Sequence, residues 1–331
     1  MTATRTPAAN PVGIAPGAAR VPGAGAERVR AGVPVAAGAA AMVCVGGSTA
    51  VSGALAAAPL LTAQAIRYAI ACGILLVFAR LTGKRVVMPR GAEWLWLFGI
   101  AATGLVIFNI ALVLGSRHAE PAAFGVAVAC VPTLLAAIGP LLDGTRPSPV
   151  VVAAALVVTG GAALVQGLGR SDAAGIAWAA VVFGCEAAFT LLAVPVLGRH
   201  GPWGVSVHST WLAAVIFTGL GLAGEGPAAA WHLSGADWLA IGYLAVAVTA
   251  VAFVLWYSSV QRLGAGRAGL LTGVAPVAAA VAGVLLGGPA PGPPVWAGIA
   301  VVGGGLCLGL RAGPGRANRS ANRRAEQPEE G

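Results

Sequence analysis

The chain has 331 residues, 58% of them hydrophobic and 9% charged, with a formal net charge of +9. A soluble domain carries about 25% charged residues, so this composition excludes an ordinary soluble domain and points to a membrane. The positive charge does not indicate nucleic acid: the Arg residues occupy short breaks between apolar runs and form no basic face interleaved with aromatics.

Residues 1–30 are rich in Ala, Pro and Gly, show neither helical nor strand period, and are expected to be a disordered tail. Ala56-Ala57-Ala58 resembles a cleavage site, but the apolar run before it exceeds the about 7–15 residues of a signal-peptide core, so an uncleaved first span is expected. Ten apolar runs follow, at about 33–54, 59–80, 94–115, 121–142, 149–168, 174–197, 203–223, 238–260, 268–287 and 294–311. Each is near the ~20 residues that cross a bilayer as a helix, and none alternates as a barrel strand would. The mixed-charge end, 312–331, reads as a second disordered tail.

Lys and Arg set the orientation. With the N-terminus inside, seventeen of the 20 basic residues fall on inner segments; only Arg117 and Arg170 are outside, and Arg67 lies within a span. The expected location is therefore a bacterial inner membrane, crossed many times, with both termini cytoplasmic.

The chain also repeats itself. Ala92-Glu93-Trp94-Leu95 returns as Ala236-Asp237-Trp238-Leu239, and the same offset of 144 carries Pro132 onto Pro276, Gly144 onto Gly288 and Gly160-Gly161 onto Gly304-Gly305. Two units of five spans, 33–168 and 174–311, follow. Because five is odd, the second unit is inverted in the membrane. The expected fold is an all-α membrane protein with ten transmembrane helices in two inverted five-helix repeats, an architecture that recurs in secondary transporters.

The chain resembles the EamA-type members of the drug/metabolite transporter superfamily. The resemblance rests on the ten spans, the five-plus-five duplication, and four stretches. These are AEPAAFGVAVACVPTLLAAIGPLL (119–142), VVTGGAALV (157–165), AFVLWYSSVQRLGAGRAGLLTGVAPVAAAVAGVLLGG (252–288) and GIAVVGGGLCLGL (298–310). It covers roughly 33–311 and implies transport of small metabolites or drugs, export included; with no ATP motif present, uphill transport is expected to draw on an ion gradient. The family's usual Glu after spans four and nine is replaced by Thr145 and Pro289, with Asp143 as a nearby acid in the first case.

No Ser/His/Asp set, HExxH or paired carboxylates point to an enzyme. Cys44, Cys72, Cys130, Cys185 and Cys307 all lie in apolar runs without metal spacing, so no metal or cofactor is expected. Gly264, Gly266 and Gly269 spell GxGxxG but lack the strand and the acid of a dinucleotide loop. Gly303-Gly304-Gly305 and Gly309 read as close helix packing.

Seven residues are candidates for a substrate or coupling-ion site. Glu186 falls about 18 Å along span six, near the midplane of a ~30 Å core, and Arg67 lies within span two. Charges in lipid face a cavity or one another, so these two either serve substrate and protons or lock two helices as an ion pair. Asn109 either binds substrate or glues helices. Gln64 and His208, matched at the 144 offset, suit a pseudo-symmetric cavity, with a solvated interfacial His208 as the alternative. Trp211 and Tyr257, with Trp178 and Trp256, either line an amphipathic pocket or anchor at the interface; Trp94 and Trp238 read as anchors. The expected partners are a small-molecule substrate, protons and the lipid bilayer. The competing reading is a membrane scaffold or sensor that transports nothing.

Overall fold

In a computed structural model, residues 24–52, 55, 58–142, 144–167, 169–287 and 290–311 are described. They are all-helical, and no strand occurs among them beyond one isolated bridge, Ala119 to Ser171. The tails 1–23 and 312–331, Asp143 and Pro289 lie outside the described residues.

The first helix, α1 (Ala24–Ser52), begins inside the stretch expected to be tail. Its apolar stretch Gly32–Ser48 overlaps the first expected run. Nine helices among the described residues are long and apolar enough to cross a membrane. They are α2 (Leu60–Leu81), α3 (Glu93–Gly115), α4 (Pro121–Leu142), α5 (Pro149–Gln166), α6 (Ala173–Leu191), α7 (Val194–Gly224), α8 (Gly235–Leu263), α9 (Ala265–Leu285) and α10 (Pro293–Arg311). They match runs two to ten, with one sizeable shift. α7 starts nine residues before the expected 203, because helix continues through Arg199 to a kink at Gly201, whose φ of 63° only glycine adopts readily, with Pro202 next.

The irregularities of the helices come in pairs. α3 winds as π-helix over Ile100–Ile107 and α8 over Leu244–Val251, 144 positions apart at both ends. α4 is interrupted at Cys130, just before Pro132, and α9 tightens into a 3₁₀ turn at Leu271–Gly273, just before Pro276. Proline lacks the N–H that would bond four residues back, so the ladder fails immediately upstream of each.

The repeated Ala-acid-Trp-Leu stretch is a helix start. Glu93 accepts from Arg90 N at 2.7 Å, and Asp237 accepts from Ser234 N at 2.8 Å within a capping box. Each acid thereby takes the N–H of the residue three before it and fixes the chain entering the helix.

The core lies between the helices and contains the fully buried Tyr68, Leu97, Ile100, Leu135, Phe217 and Tyr257. Large apolar side chains such as Leu81, Leu95, Ile176, Leu239 and Leu285 cover the outside, as lipid requires. Without a hydrophobic force between helices in lipid, small residues set the close contacts. A Cβ on Gly161 would sit 2.7 Å from Val302 N, and one on Gly305 would sit 3.0 Å from Val158 N, so α5 and α10 touch along their backbones. Gly303 and Gly304 have open space beside them, which corrects half of the expected packing face: three consecutive residues cannot all point at one neighbour. The GxGxxG segment is likewise structural. Gly264 ends α8 at φ 78°, and Gly269 leaves 2.7 Å between a Cβ and that of Leu135 in α4.

Candidate functional site

The two ends of the bundle differ. One, here the basic end, carries the loops around 82–92, 144–148 and 264 and the kink of α7 at Gly201; the other, the arginine-poor end, carries the loops around 116–120, 167–172 and 225–234. The candidate residues fall in three places along this axis.

Gln64, Arg67 and Asn109 come together. Gln64, Arg67 and Tyr68 share one face of α2, as positions three and four apart do. Arg67 Nε donates to Thr249 Oγ1 of α8 at 2.9 Å and Nη1 to Gln64 Oε1 at 3.2 Å. Gln64 Nε2 donates to Asn109 Oδ1 at 2.9 Å, and Asn109 Nδ2 donates to Tyr68 OH at 3.1 Å and Leu105 O at 2.7 Å. The guanidinium also lies 5.0 Å from the Tyr68 ring centroid, a cation–π distance. Both π stretches feed this cluster: Leu105 and Thr249 belong to them, and Asn109 follows the first. π-bulges concentrate at functional sites. Tyr68 and Thr249 had no distinguishing signal in the sequence.

Glu186 stands apart on α6. It points to the side of that helix shared by the buried Val182 and Phe189, away from the exposed Val181 and Gly184. It is half-buried, and its carboxylate makes no hydrogen bond or ion pair among the described residues. Arg67 does not pair with it, so the expected alternative of an Arg67–Glu186 lock is not realised: Arg67 is turned to α3 and α8 by its neutral partners. Tyr257 is near Glu186 but fully buried, with its hydroxyl 3.2 Å from Phe189 O and its ring in an aromatic group with Phe189 and Phe253. Trp256 donates to Thr190 at 3.0 Å. Neither is an interfacial anchor.

His208 and Trp211 lie at the basic end, on α7. His208 Nε2 bonds Val87 O at 2.9 Å, and its Nδ1 accepts from Trp211 Nε1 at 3.1 Å, which places its proton on Nε2. It is buried, not solvated. Gln64 and His208 share no hydrogen-bond partner among the described residues: Gln64 lies in the second turn of α2, towards the arginine-poor end, and His208 lies seven residues past the kink of α7, towards the basic end. Trp94 packs edge-on against His208 and Trp211, at 6.4 and 6.0 Å, instead of anchoring, whereas Trp238 is exposed.

This end is closed by charge as well. Glu93 receives the Arg199 guanidinium, and His200 Nε2 lies 3.1 Å from the same carboxylate oxygen. Arg199 Nη2 also donates to Met88 O at 3.2 Å, and Gln261 Nε2 ties α8 to Leu197 O at 3.0 Å. At the arginine-poor end a cleft of about 600 Å³ opens between α4 and α6, lined by Ala123, Val126, Ala127, Cys130 and Phe183 among others. None of the seven candidates lines it; Phe183, at its wall, is one turn before Glu186.

One ion pair and one His–Asp hydrogen bond strap the rim of the cleft. Arg170 Nε donates to Glu120 at 2.7 Å, and His118 Nδ1 meets Asp172 at 3.0 Å. The Arg170 side chain, then its backbone N–H, holds the Glu120 carboxyl below its ordinary pKa; the Gly175 N–H, then His118, does so for Asp172. Glu225, which sequence reasoning passed over, accepts from Leu61 N and Thr62 N, both at 2.8 Å, and so caps α2 from the end of α7.

Residues 173–311, which span α6 to α10, match the EamA-like transporter family. That match covers the second half of the chain and makes it similar to that family there. The uncharacterized transporter YetK of Bacillus subtilis (strain 168) is 28% identical over 249 residues, covering 70% of this chain and 72% of that protein. A solved structure, given as "Crystal structure of protein", superposes with a TM-score of 0.72 over 83% of this chain and 96% of its own, at 20% identity, a likeness of fold. The EamA-like chain is thus a multi-pass membrane transporter. Thr145, at a position where the family usually has Glu, closes the end of α4 by donating to Pro140 O at 3.0 Å.

Proposed function

We propose that this EamA-like chain is a secondary transporter of small metabolites or drugs that works by alternating access and exports its substrate against protons. The observation that carries the reading is Glu186: a carboxylate on the inward face of a spanning helix, half-buried, without a partner among the described residues. It lies thirteen residues beyond the start of α6, about 20 Å along a helix rising 1.5 Å per residue. Charge at that depth is costly, and a carboxylate left unpaired there is suited to take and release a proton.

The paired π stretches, the paired proline breaks and the paired helix starts at an offset of 144 support two five-helix repeats, 33–168 and 174–311. Their inversion supports rocking about an interface. The distribution of Arg supports a bacterial inner membrane with both termini cytoplasmic. Glu186 is the coupling residue; Arg67, Gln64 and Asn109 contact substrate; Tyr257 shapes the floor beside Glu186; His208 and Trp211 belong to the closed basic end. Neither a metal nor a cofactor enters this scheme, and no nucleic acid.

Purified chain in proteoliposomes, scanned with labelled metabolites under an imposed pH gradient, tests the reading. Gradient-driven flux that depends on Glu186 supports it; flux of nothing across a broad panel would favour the scaffold.

A further inference from the structure

Arg67 carries a full charge, is 9% exposed, and lies about 10 Å into α2. Among the described residues it has no anionic partner. Its guanidinium has five N–H groups, and the structure accounts for two, one to Thr249 and one to Gln64. Both N–H of Nη2 and one of Nη1 are unspent. The carboxylates of the helices packed around it are all engaged elsewhere. Glu225 of α7 caps Leu61 and Thr62, Asp237 of α8 holds Ser234, and Glu93 of α3 holds Arg199 and His200 at the far end.

The neighbours hold the guanidinium still without neutralising it. Asn109 spends both N–H groups on Tyr68 and Leu105 and accepts from Gln64, and so fixes Gln64, which fixes Arg67. Tyr68 OH accepts from Asn109, and its own proton has no acceptor among the described residues. The cluster is therefore rich in oriented donors and lacks a negative acceptor. A buried cation left this way is expensive, and a planar oxyanion that takes two parallel N–H bonds is what a guanidinium fits best. The stacked rings of Tyr68 and Phe217, 5.8 Å apart, supply an apolar wall beside it.

We propose that Arg67, held by Gln64 and Thr249 and backed by Tyr68, is an anion site that takes the carboxylate of a small organic acid. The site stands by itself; that the acid is the cargo rests on the transport reading. An anionic lipid would offer a similar oxyanion through its phosphate, so the test separates the two sources.

The full chain in dodecyl maltoside is unfolded by heat with added benzoate, and at equal ionic strength with benzamide or benzylamine. Benzoate should raise the midpoint with concentration, as ligand binding to the folded state does, while the neutral and cationic analogues should not. Arg67→Gln should lose the rise and unfold no earlier than wild type without ligand, because it removes an unneutralised charge. Arg67→Lys keeps the charge without the fork and should need more benzoate for the same rise.

An equal benzoate response in wild type and Arg67→Gln, or none in either, overturns the site. So does an Arg67→Gln midpoint that falls without ligand, since that is the mark of a purely structural guanidinium. Phosphatidylglycerol that co-purifies with wild type and not with Arg67→Gln, leaving benzoate without effect, assigns the site to lipid and overturns the organic acid. A benzoate response in a chain that gives no proton-driven flux leaves the anion site standing and the transport reading fallen. Flux without a benzoate response does the reverse.

Discussion

Glu93 and Glu186 are both glutamates on helices of an apolar bundle, and the structure treats them oppositely. Glu93 sits at the basic end with Arg90 N, Arg199 and His200 all directed at it, and it joins the start of α3 to the first turns of α7, before the kink at Gly201. Glu186 and Arg67, deeper in the bundle, have opposite charges and do not meet. Where charge is paired across the chain, its work is to hold helices together. Where charge is left unpaired at a depth that penalises it, it adds no such hold, and that is the ground for the proton and ligand roles proposed above.

The largest expected effect comes from breaking the paired side. Glu93→Gln removes the acceptor shared by Arg199 and His200 and should lower the unfolding midpoint of the purified chain more than any other change named below. It should also raise the reactivity of cysteines placed at Met88 or Leu197 toward a water-soluble maleimide, as the basic end loosens. An unchanged midpoint with unchanged reactivity would remove the contrast between the two glutamates.

The unpaired side is sharpened by a double-mutant cycle. Because Arg67 and Glu186 make no ion pair, Arg67→Gln and Glu186→Gln should act additively on stability, within about 0.5 kcal/mol in denaturant titrations. Coupling well above that would mean the two charges feel each other in the folded state.

The smallest effect belongs to the strap at the arginine-poor end. The Glu120 and Asp172 carboxyls are held below their ordinary values, so their bonds contribute fully above the unfolded-state values near pH 4 and are lost as pH falls through the lower folded-state ones. Arg170 is 94% exposed, so the contribution is minor. Hydrogen exchange at Glu120 and Asp172 amides should show protection at neutral pH that is lost near pH 3. Protection that persists there would mean the Ala119–Ser171 bridge holds without the charges.

Much of this arrangement could be read from the sequence, for reasons that differ by element. Nine spans were legible because an apolar run of bilayer length admits few alternatives to helix. The breaks at Cys130 and Leu271–Gly273 were implied by Pro132 and Pro276, although the sequence offered these as landmarks of a repeat and not as breaks. The π stretches were invisible: Ile100–Ile107 and Leu244–Val251 are as apolar as their flanks. Gln64, Arg67 and Asn109 each stood out as polar residues in lipid, but their meeting depends on how α2, α3 and α8 pack. The same holds for Glu93, whose role as a cap is local and whose grip on Arg199, 106 positions away, is not. His208 looked interfacial because it lies near a helix end; its burial comes from Trp94 and Val87, brought over it by the loop before α3.

The central claim is that Glu186 carries the coupling proton, and one measurement addresses it most directly. Wild type and Glu186→Gln are reconstituted at equal density, and efflux of a transported solute is followed with and without an imposed pH gradient. The account predicts that Glu186→Gln folds and inserts as wild type does, loses gradient-driven transport, and retains solute exchange at equal pH. It predicts further that adding Arg67→Gln restores nothing, since no pair is there to repair. Proton-driven transport that survives Glu186→Gln, or returns in the double variant, would contradict the account.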